Sequence, residues 1–175
     1  MSSASDRYAV LLRAVNLGRT NRLAMSDLRC ILLDAGCTDV QTVLQSGNAV
    51  CSSSRTPEAL AALVASGLRD VMHKDIGVIV RNAAYIAGVV AANPFSDRSP
   101  DGAYVGVTFL TQQPDASVVD AAGPPDGIAL GDRAIYTYAP LLVEARFPDW
   151  TKLLRQTVTG RNWRTTTRIL RALEN

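Results

Sequence analysis

Several kinds of chemistry lack the residues they would need. The 175-residue chain has one histidine, His73, and three cysteines, Cys30, Cys37 and Cys51. The cysteines show no Cys-x-x-Cys spacing, so neither a zinc knuckle nor a redox pair is indicated. Their number is odd and small, which excludes a disulfide scaffold and fits a reducing cytosol. They read as small buried hydrophobes. No acidic cluster surrounds His73, so a metal site or a Ser-His-Asp triad has no support; the residue reads as a helix C-terminal position favoured by the dipole. No metal or cofactor is expected. Aromatic residues amount to 6%. No apolar run approaches the roughly 20 residues that span a bilayer, and Tyr8–Leu12 is too short for a signal-peptide core. Twelve glycines and eight prolines follow no period, which excludes collagen-like and low-complexity chains. Lysine occurs twice against sixteen arginines.

What is present is a folding composition, 47% hydrophobic and 19% charged, as expected of a soluble cytoplasmic domain. The net charge of +2 conceals a pattern. Residues 7–29 carry five arginines against one aspartate, and residues 149–175 carry six basic residues against two acids. The remainder is net acidic. Two readings stay open: solvated Arg-rich faces, or two segments converging on an anion that arginine grips bidentately.

Element order follows from periodicity and turn residues. Tyr8–Leu12 reads as a buried strand. Ser26–Ala35 has apolar residues at 28, 31, 32 and 35, which is helical spacing, and Gly36 can end it. Val40–Gln45 and Asn48–Ser52 read as strands joined by Ser46-Gly47, a hairpin signal. Pro57 opens a helix to about Met72, and Gly77–Arg81 is a strand. This β-α-β-β-α-β order is the split βαβ, ferredoxin-like arrangement.

The order then partly recurs. A helix is expected over about 83–92, then a strand Tyr104–Leu110 and a short helix Asp115–Ala122 stopped by Gly123-Pro124-Pro125. Strands Gly127–Leu130 and Arg133–Tyr138 follow, with helices over about 150–158 and 165–173. Ser96–Gly102 is the one plausible linker. The fold class expected is α+β: two ferredoxin-like halves, 1–81 and 82–175, packed as one unit, the second incomplete for want of a closing strand.

The split βαβ geometry gathers residues distant in sequence. The loop after the first strand and the hairpin between the second and third lie at one sheet edge. Arg13, Asn16, Arg19, Asn21 and Arg22 would there meet Gln45, Ser46 and Asn48, with His73 and Lys74 nearby. Loops at strand ends commonly carry function. The same residues suit turns and loop hydrogen bonds on their own account. Near the C-terminus, Thr159-Gly160-Arg161-Asn162-Trp163-Arg164-Thr165 sets Arg161 and Arg164 before a helix that Thr165 or Thr166 can cap. Trp163 anchors the segment or stacks on a planar ligand, and Arg161 alternatively pairs with a carboxylate.

Five motifs in order resemble one family. They are Leu11-Leu12-Arg13-Ala14-Val15-Asn16-Leu17-Gly18, Asn21-Arg22 with Met25-x-x-Leu28, Gln45-Ser46-Gly47-Asn48, Asn93-Pro94-Phe95, and Thr159-x-Arg161-Asn162-Trp163-Arg164-Thr165. Together the chain resembles the bacterial domain-of-unknown-function family 1697. The resemblance implies a two-part α/β fold and a cytosolic setting, and no reaction. Two positions depart from the family: Ala24, where proline is frequent, and Ala139–Pro148, which lacks a Gly-rich stretch.

Three functions are compatible with these residues. The first is binding of a phosphorylated or nucleotide-like small ligand at the Arg/Asn edge. Were it catalytic, the analogy would be acylphosphatase, with Arg13 holding a phosphoryl group and Asn48 orienting water. The second is nucleic-acid backbone binding through the two Arg-rich segments; base stacking on the sheet is disfavoured because the third strand, Asn48–Ser52, carries no aromatic. The third is a protein-interaction module. No membrane partner is expected, and the oligomeric state is not legible.

Overall fold

The first strand, β1 (Asp6–Leu12), explains much of the architecture because it is buried on both sides. In the computed structural model, which describes residues 6–18, 21–98, 103–123, 127–141 and 146–175, it is followed by α1 (Met25–Asp34), β2 (Thr38–Thr42), β3 (Asn48–Ser53), α2 (Pro57–Met72) and β4 (Val78–Asn82). The strands form an antiparallel sheet in the order β2-β3-β1-β4. That is the ferredoxin-like arrangement. Tyr8, Val10 and Leu12 alternate onto the face covered by the helices. There they pack with Leu28, Ile31 and Leu32 of α1 and with Leu60, Val64 and Leu68 of α2. The four- and eight-residue spacing in α2 puts its three leucine and valine side chains on one stripe. Thr56 caps that helix by accepting from the Ala59 amide at 3.2 Å, and Pro57 sits in its first turn.

After α3 (Ala83–Ala91) the plan repeats with β5 (Tyr104–Leu110), α4 (Ala116–Asp120), β6 (Ile128–Gly131), β7 (Ala134–Ala139), α5 (Trp150–Leu154) and β8 (Val158–Asn162), ending in α6 (Trp163–Glu174). The second sheet has the order β6-β7-β5-β8, the same topology. Its core joins Leu110, Ile135 and Val158 to Val119 and Trp150. The chain divides into two units, residues 1–87 with 167–175, and residues 88–166. The expected linker, 96–102, lies mostly outside the described residues.

The second half is therefore complete, which corrects the expectation of a missing strand. The helix expected over 150–158 stops at Leu154, where Arg155 turns left-handed at φ 51°. Val158-Thr159-Gly160-Arg161 then pairs with β5. A glycine inside the run weakens its strand signal, and tertiary pairing overrides it. Asn162, and neither Thr165 nor Thr166, caps α6: its Oδ1 accepts from the Thr165 amide at 2.8 Å. The first hairpin also differs from expectation, since residues 43–47 separate β2 from β3.

The two halves share register as well as order. Leu12 pairs with Val78 and Ala9 with Arg81, as Leu110 pairs with Val158 and Val107 with Arg161. Leu11 faces Asn48 as Phe109 faces Ala134. The fourth strands read Val-Ile-Val-Arg-Asn and Val-Thr-Gly-Arg-Asn. Each buries its arginine, Arg81 or Arg161. Each ends on an asparagine that caps the next helix, Asn82 accepting from Tyr85 and Asn162 from Thr165, both at 2.8 Å. The chain thus carries an internal repeat, visible once register aligns it.

Two of the three cysteines are buried as expected, and Cys30 is exposed. A hydrogen bond with Cys51 favours the Cys37 thiolate, helped by Ser53 and Arg55, while Cys51, the donor, is pushed up. Both sulfurs lie in the core beneath α1 and α2. Titration with a thiol-specific disulfide reagent should therefore modify one thiol per folded chain and three after denaturation. Rapid modification of two or more in the native state would contradict the packing.

Candidate functional site

The loop after β1 runs over residues 13–24, and the asparagines expected to bind a ligand hold it together. Asn16, at φ 55°, donates from Nδ2 to the Leu23 carbonyl at 2.8 Å and to the Gln45 carbonyl at 2.7 Å. Its Oδ1 accepts from the Leu23 amide at 2.9 Å. One side chain thus ties the loop to itself and to the β2–β3 hairpin. Asn21, also left-handed at φ 51°, donates to the Ala14 carbonyl at 3.1 Å and accepts from Lys74 at 3.3 Å. Asparagine tolerates this backbone region better than most residues. Asn48 is fully buried. It donates to the Val43 carbonyl at 3.2 Å and to Ser46 Oγ at 3.0 Å. That fastens the hairpin and leaves the water-orienting role drawn from acylphosphatase without support.

These tethers frame a cavity of about 410 Å³ lined by Asn16, Arg22, Leu23, Ala24 and Gln45. Three of the residues read from the sequence as one edge, Asn16, Arg22 and Gln45, do meet there. Arg13 is exposed at the head of the loop. Arg19 lies outside the described residues. Lys74 joins the edge through Asn21, and His73 is the left-handed cap of α2, its amide bonded to the Arg69 carbonyl. The lining carries the Arg22 guanidinium and the Gln45 side-chain amide, the Asn16 amide being spent on backbone carbonyls, and holds no carboxylate.

The second half supplies an internal reference for this edge. Its equivalent loop spans only residues 111–115, and its hairpin turns on Asp132-Arg133. Gln156 Oε1 accepts from Thr111 Oγ1 at 2.9 Å and from the Gln112 amide at 2.7 Å. Gln113 spans from the Arg133 amide, at 2.5 Å, to the Gly131 carbonyl, at 3.2 Å. Two glutamines tie that edge together. The first half has longer connections at the same place, and a cavity lined by Arg22 and Gln45 lies among them.

The C-terminal motif is placed differently. Arg161, Asn162, Trp163 and Arg164 all fall in the unit formed by residues 88–166. Arg161 is 8% exposed. Its Nη1 donates to Thr159 Oγ1 and to the Gly160 carbonyl, both at 2.7 Å. Burial pulls its pKa down to about 10, so it stays charged at neutral pH. Trp163 is half-buried at the start of α6, and Arg164 is exposed. The Asn93-Pro94-Phe95 motif is also structural: Asn93 accepts from the Phe95 amide at 3.0 Å. Phe95 stacks on Tyr138 with centroids 5.7 Å apart, and Arg98 lies over both rings.

A family model described as "Protein of unknown function (DUF1697)" matches residues 6–136. The chain belongs to this family. The matched range contains the whole open edge and stops before the Thr159–Thr165 segment. A solved structure, "The structure of conserved bacterial protein SP0830 from Streptococcus pneumoniae", aligns at TM-score 0.71 and 21% identity, covering 97% of this chain and 99% of that one. At that identity the likeness shows the fold. No curated protein matches the chain. Among the described residues, no helix is long and apolar enough to cross a membrane.

Arg168 and Arg171 are not singled out by the sequence as site candidates, entering only through the C-terminal charge. The helical spacing of three residues, which puts both on one face of α6, is the signal that would have found them.

Proposed function

We propose that this protein binds a small anionic ligand, phosphorylated or nucleotide-like, in the cavity between the β1–α1 loop and the β2–β3 hairpin. The observation that carries the reading is the contrast between the halves. Identical registers rule out the sheet itself as the cause of the longer loops, because β5–β8 manage with short ones. Strained backbone concentrates at the same edge, with Ala14, Asn16, Asn21, Leu44 and His73 all at positive φ. Such conformations persist where surrounding structure over-determines them, and they cluster at ligand sites. Arg22 offers the charge, and Gln45 and Asn16 line the cavity beside it.

The test is a thermal-shift and calorimetric panel of inorganic phosphate, acetyl phosphate, sugar phosphates and nucleotides. A ligand at about 100 times its Kd adds ~2.7 kcal/mol, a rise of roughly 5–10 °C in Tm for a chain of this size. Arg22→Ala should weaken the binder by about tenfold or more, since a hydrogen bond to a charged group contributes ~1.5–3 kcal/mol, while leaving Tm of the free protein unchanged. Equal affinity in the native protein and the variant, or no shift with any compound, would overturn the reading.

A further inference from the structure

The last nine residues return to the first unit. There Arg7 Nη2 donates to the Ala172 carbonyl at 2.8 Å. Their arrival builds a second cavity, about 370 Å³, whose lining includes Gln41, Thr42, Leu44, Arg168, Arg171 and Asn175. Arg168 and Arg171 are exposed, and among the described residues neither forms an ion pair.

The two cavities meet consecutive residues of one short loop: Leu44 lines the second and Gln45 the first. Leu44 is held at φ 60°, which a leucine adopts only under constraint. An added peptide strand fits the second cavity poorly. Arg29 already donates to the Val40 carbonyl, and the β2 register shifts between Thr38 and Gln41, so the outer side of β2 offers no continuous template. Two guanidiniums on one helix face suit phosphate oxygens better. No aromatic ring lines either cavity, so the grip falls on phosphates and not on bases.

We propose that the two cavities form one bipartite site for a ligand with a chain of two or more phosphates, Arg22 holding one part and Arg168 with Arg171 another. The inference rests on the anion-binding reading of the first cavity and extends it to the C-terminal arginines. The shared chemistry belongs equally to a single nucleic-acid strand and to free polyphosphate.

The experiment is fluorescence anisotropy with a 5′-labelled octathymidylate, competed by unlabelled octathymidylate or tripolyphosphate. It compares the native protein, Arg22→Ala and the double variant Arg168→Ala/Arg171→Ala, with folding checked by circular dichroism. Both variants should bind about tenfold more weakly. Each should also lower the slope of log affinity against log salt by ~0.7 for every phosphate it no longer neutralises. Should the labelled strand not bind, direct calorimetry with tripolyphosphate replaces it and the same variant losses are expected. Competition by both unlabelled ligands identifies the phosphate chain as the feature recognised; competition by the oligonucleotide alone identifies the nucleic-acid strand. A double variant that binds like the native protein, while Arg22→Ala loses affinity, would overturn the bipartite site and leave the first cavity standing. No effect from either variant would overturn both readings; no binding of either probe would overturn the bipartite site and leave the first cavity to its own panel.

Discussion

Gly47→Ala should unfold at a Tm roughly 4–20 °C below the native protein. Gly47 has φ 72°, and a left-handed L-residue costs about 1–2 kcal/mol. That alone does not make glycine mandatory. Arg133 occupies the equivalent position of the second half at φ 45°, its carbonyl accepting from Leu110 as the Gly47 carbonyl accepts from Leu12. The difference is space. A Cβ on Gly47 would overlap Val15 Cγ2 and stand 2.9 Å from Leu12 Cβ. Both neighbours are buried, at 1% and 0% exposure, so neither can swing away. Overpacking of this kind costs ~1–3 kcal/mol, which with the backbone term gives about 2–5 kcal/mol. For a chain of this length each kcal/mol moves Tm by roughly 2–4 °C. Arg133→Gly is the control: it relieves the backbone and removes one exposed ion pair with Asp132, so Tm should move by less than about 3 °C. A Gly47→Ala protein as stable as the native one would show that the loop after β1 does not pack on the hairpin as described.

How much of the fold is legible in the sequence depends on the type of signal. Helices with a clear apolar stripe, such as Leu28, Ile31, Leu32 and Ala35, are placed to within a residue or two because one face meets one core. The first βαββαβ order follows, and with it the edge that brings Asn16, Arg22 and Gln45 together. β8 escapes because its strand character comes from pairing with β5 and not from its own residues. The internal repeat shows in the element order, but its residue-level match escapes for a related reason. Arg81-Asn82 and Arg161-Asn162 match, but the offset between equivalent residues differs among the strands, so only register reveals them. The asparagines at the edge read equally as ligand contacts or as loop hydrogen-bonders. Their hydrogen bonds go mostly to backbone carbonyls and amides, and otherwise to Ser46 and Lys74, a choice no spacing rule could make. Arg168 and Arg171 are visible only as charge, because their place depends on the chain returning to the first unit.

That division between scaffold and contact is testable at Asn16. Asn16→Asp keeps the shape of the side chain and one of its three bonds, the acceptor to the Leu23 amide. It removes both donors and sets a carboxylate against the carbonyls of Leu23 and Gln45, now 2.8 and 2.7 Å from the amide nitrogen. Leaving such groups unpaired costs ~1–3 kcal/mol. The aspartate should therefore destabilise by about 2–4 kcal/mol at pH 7, given that cost and the added repulsion, and by more than Asn16→Ala, which removes the bonds without adding the repulsion. The sign of the pH dependence separates this from generic damage. A carboxyl facing two carbonyls takes up its proton more readily folded than unfolded, where its pKa is about 3.9. The folded variant then binds more protons across the window above that value, and its stability falls as pH rises through it. Urea unfolding should accordingly show a smaller deficit at about pH 4, near that unfolded value, than at neutral pH, because the protonated acid can donate to one carbonyl again. Equal deficits at both pH values would remove the tether from the account. In binding, the two alanine changes should part company: Asn16→Ala loses ligand by loosening the loop, with a lowered Tm, whereas Arg22→Ala loses ligand at unchanged Tm. A loop that can be unfastened without touching its arginine, and an arginine that can be removed without unfastening the loop, is the behaviour expected of a cavity built to present charge.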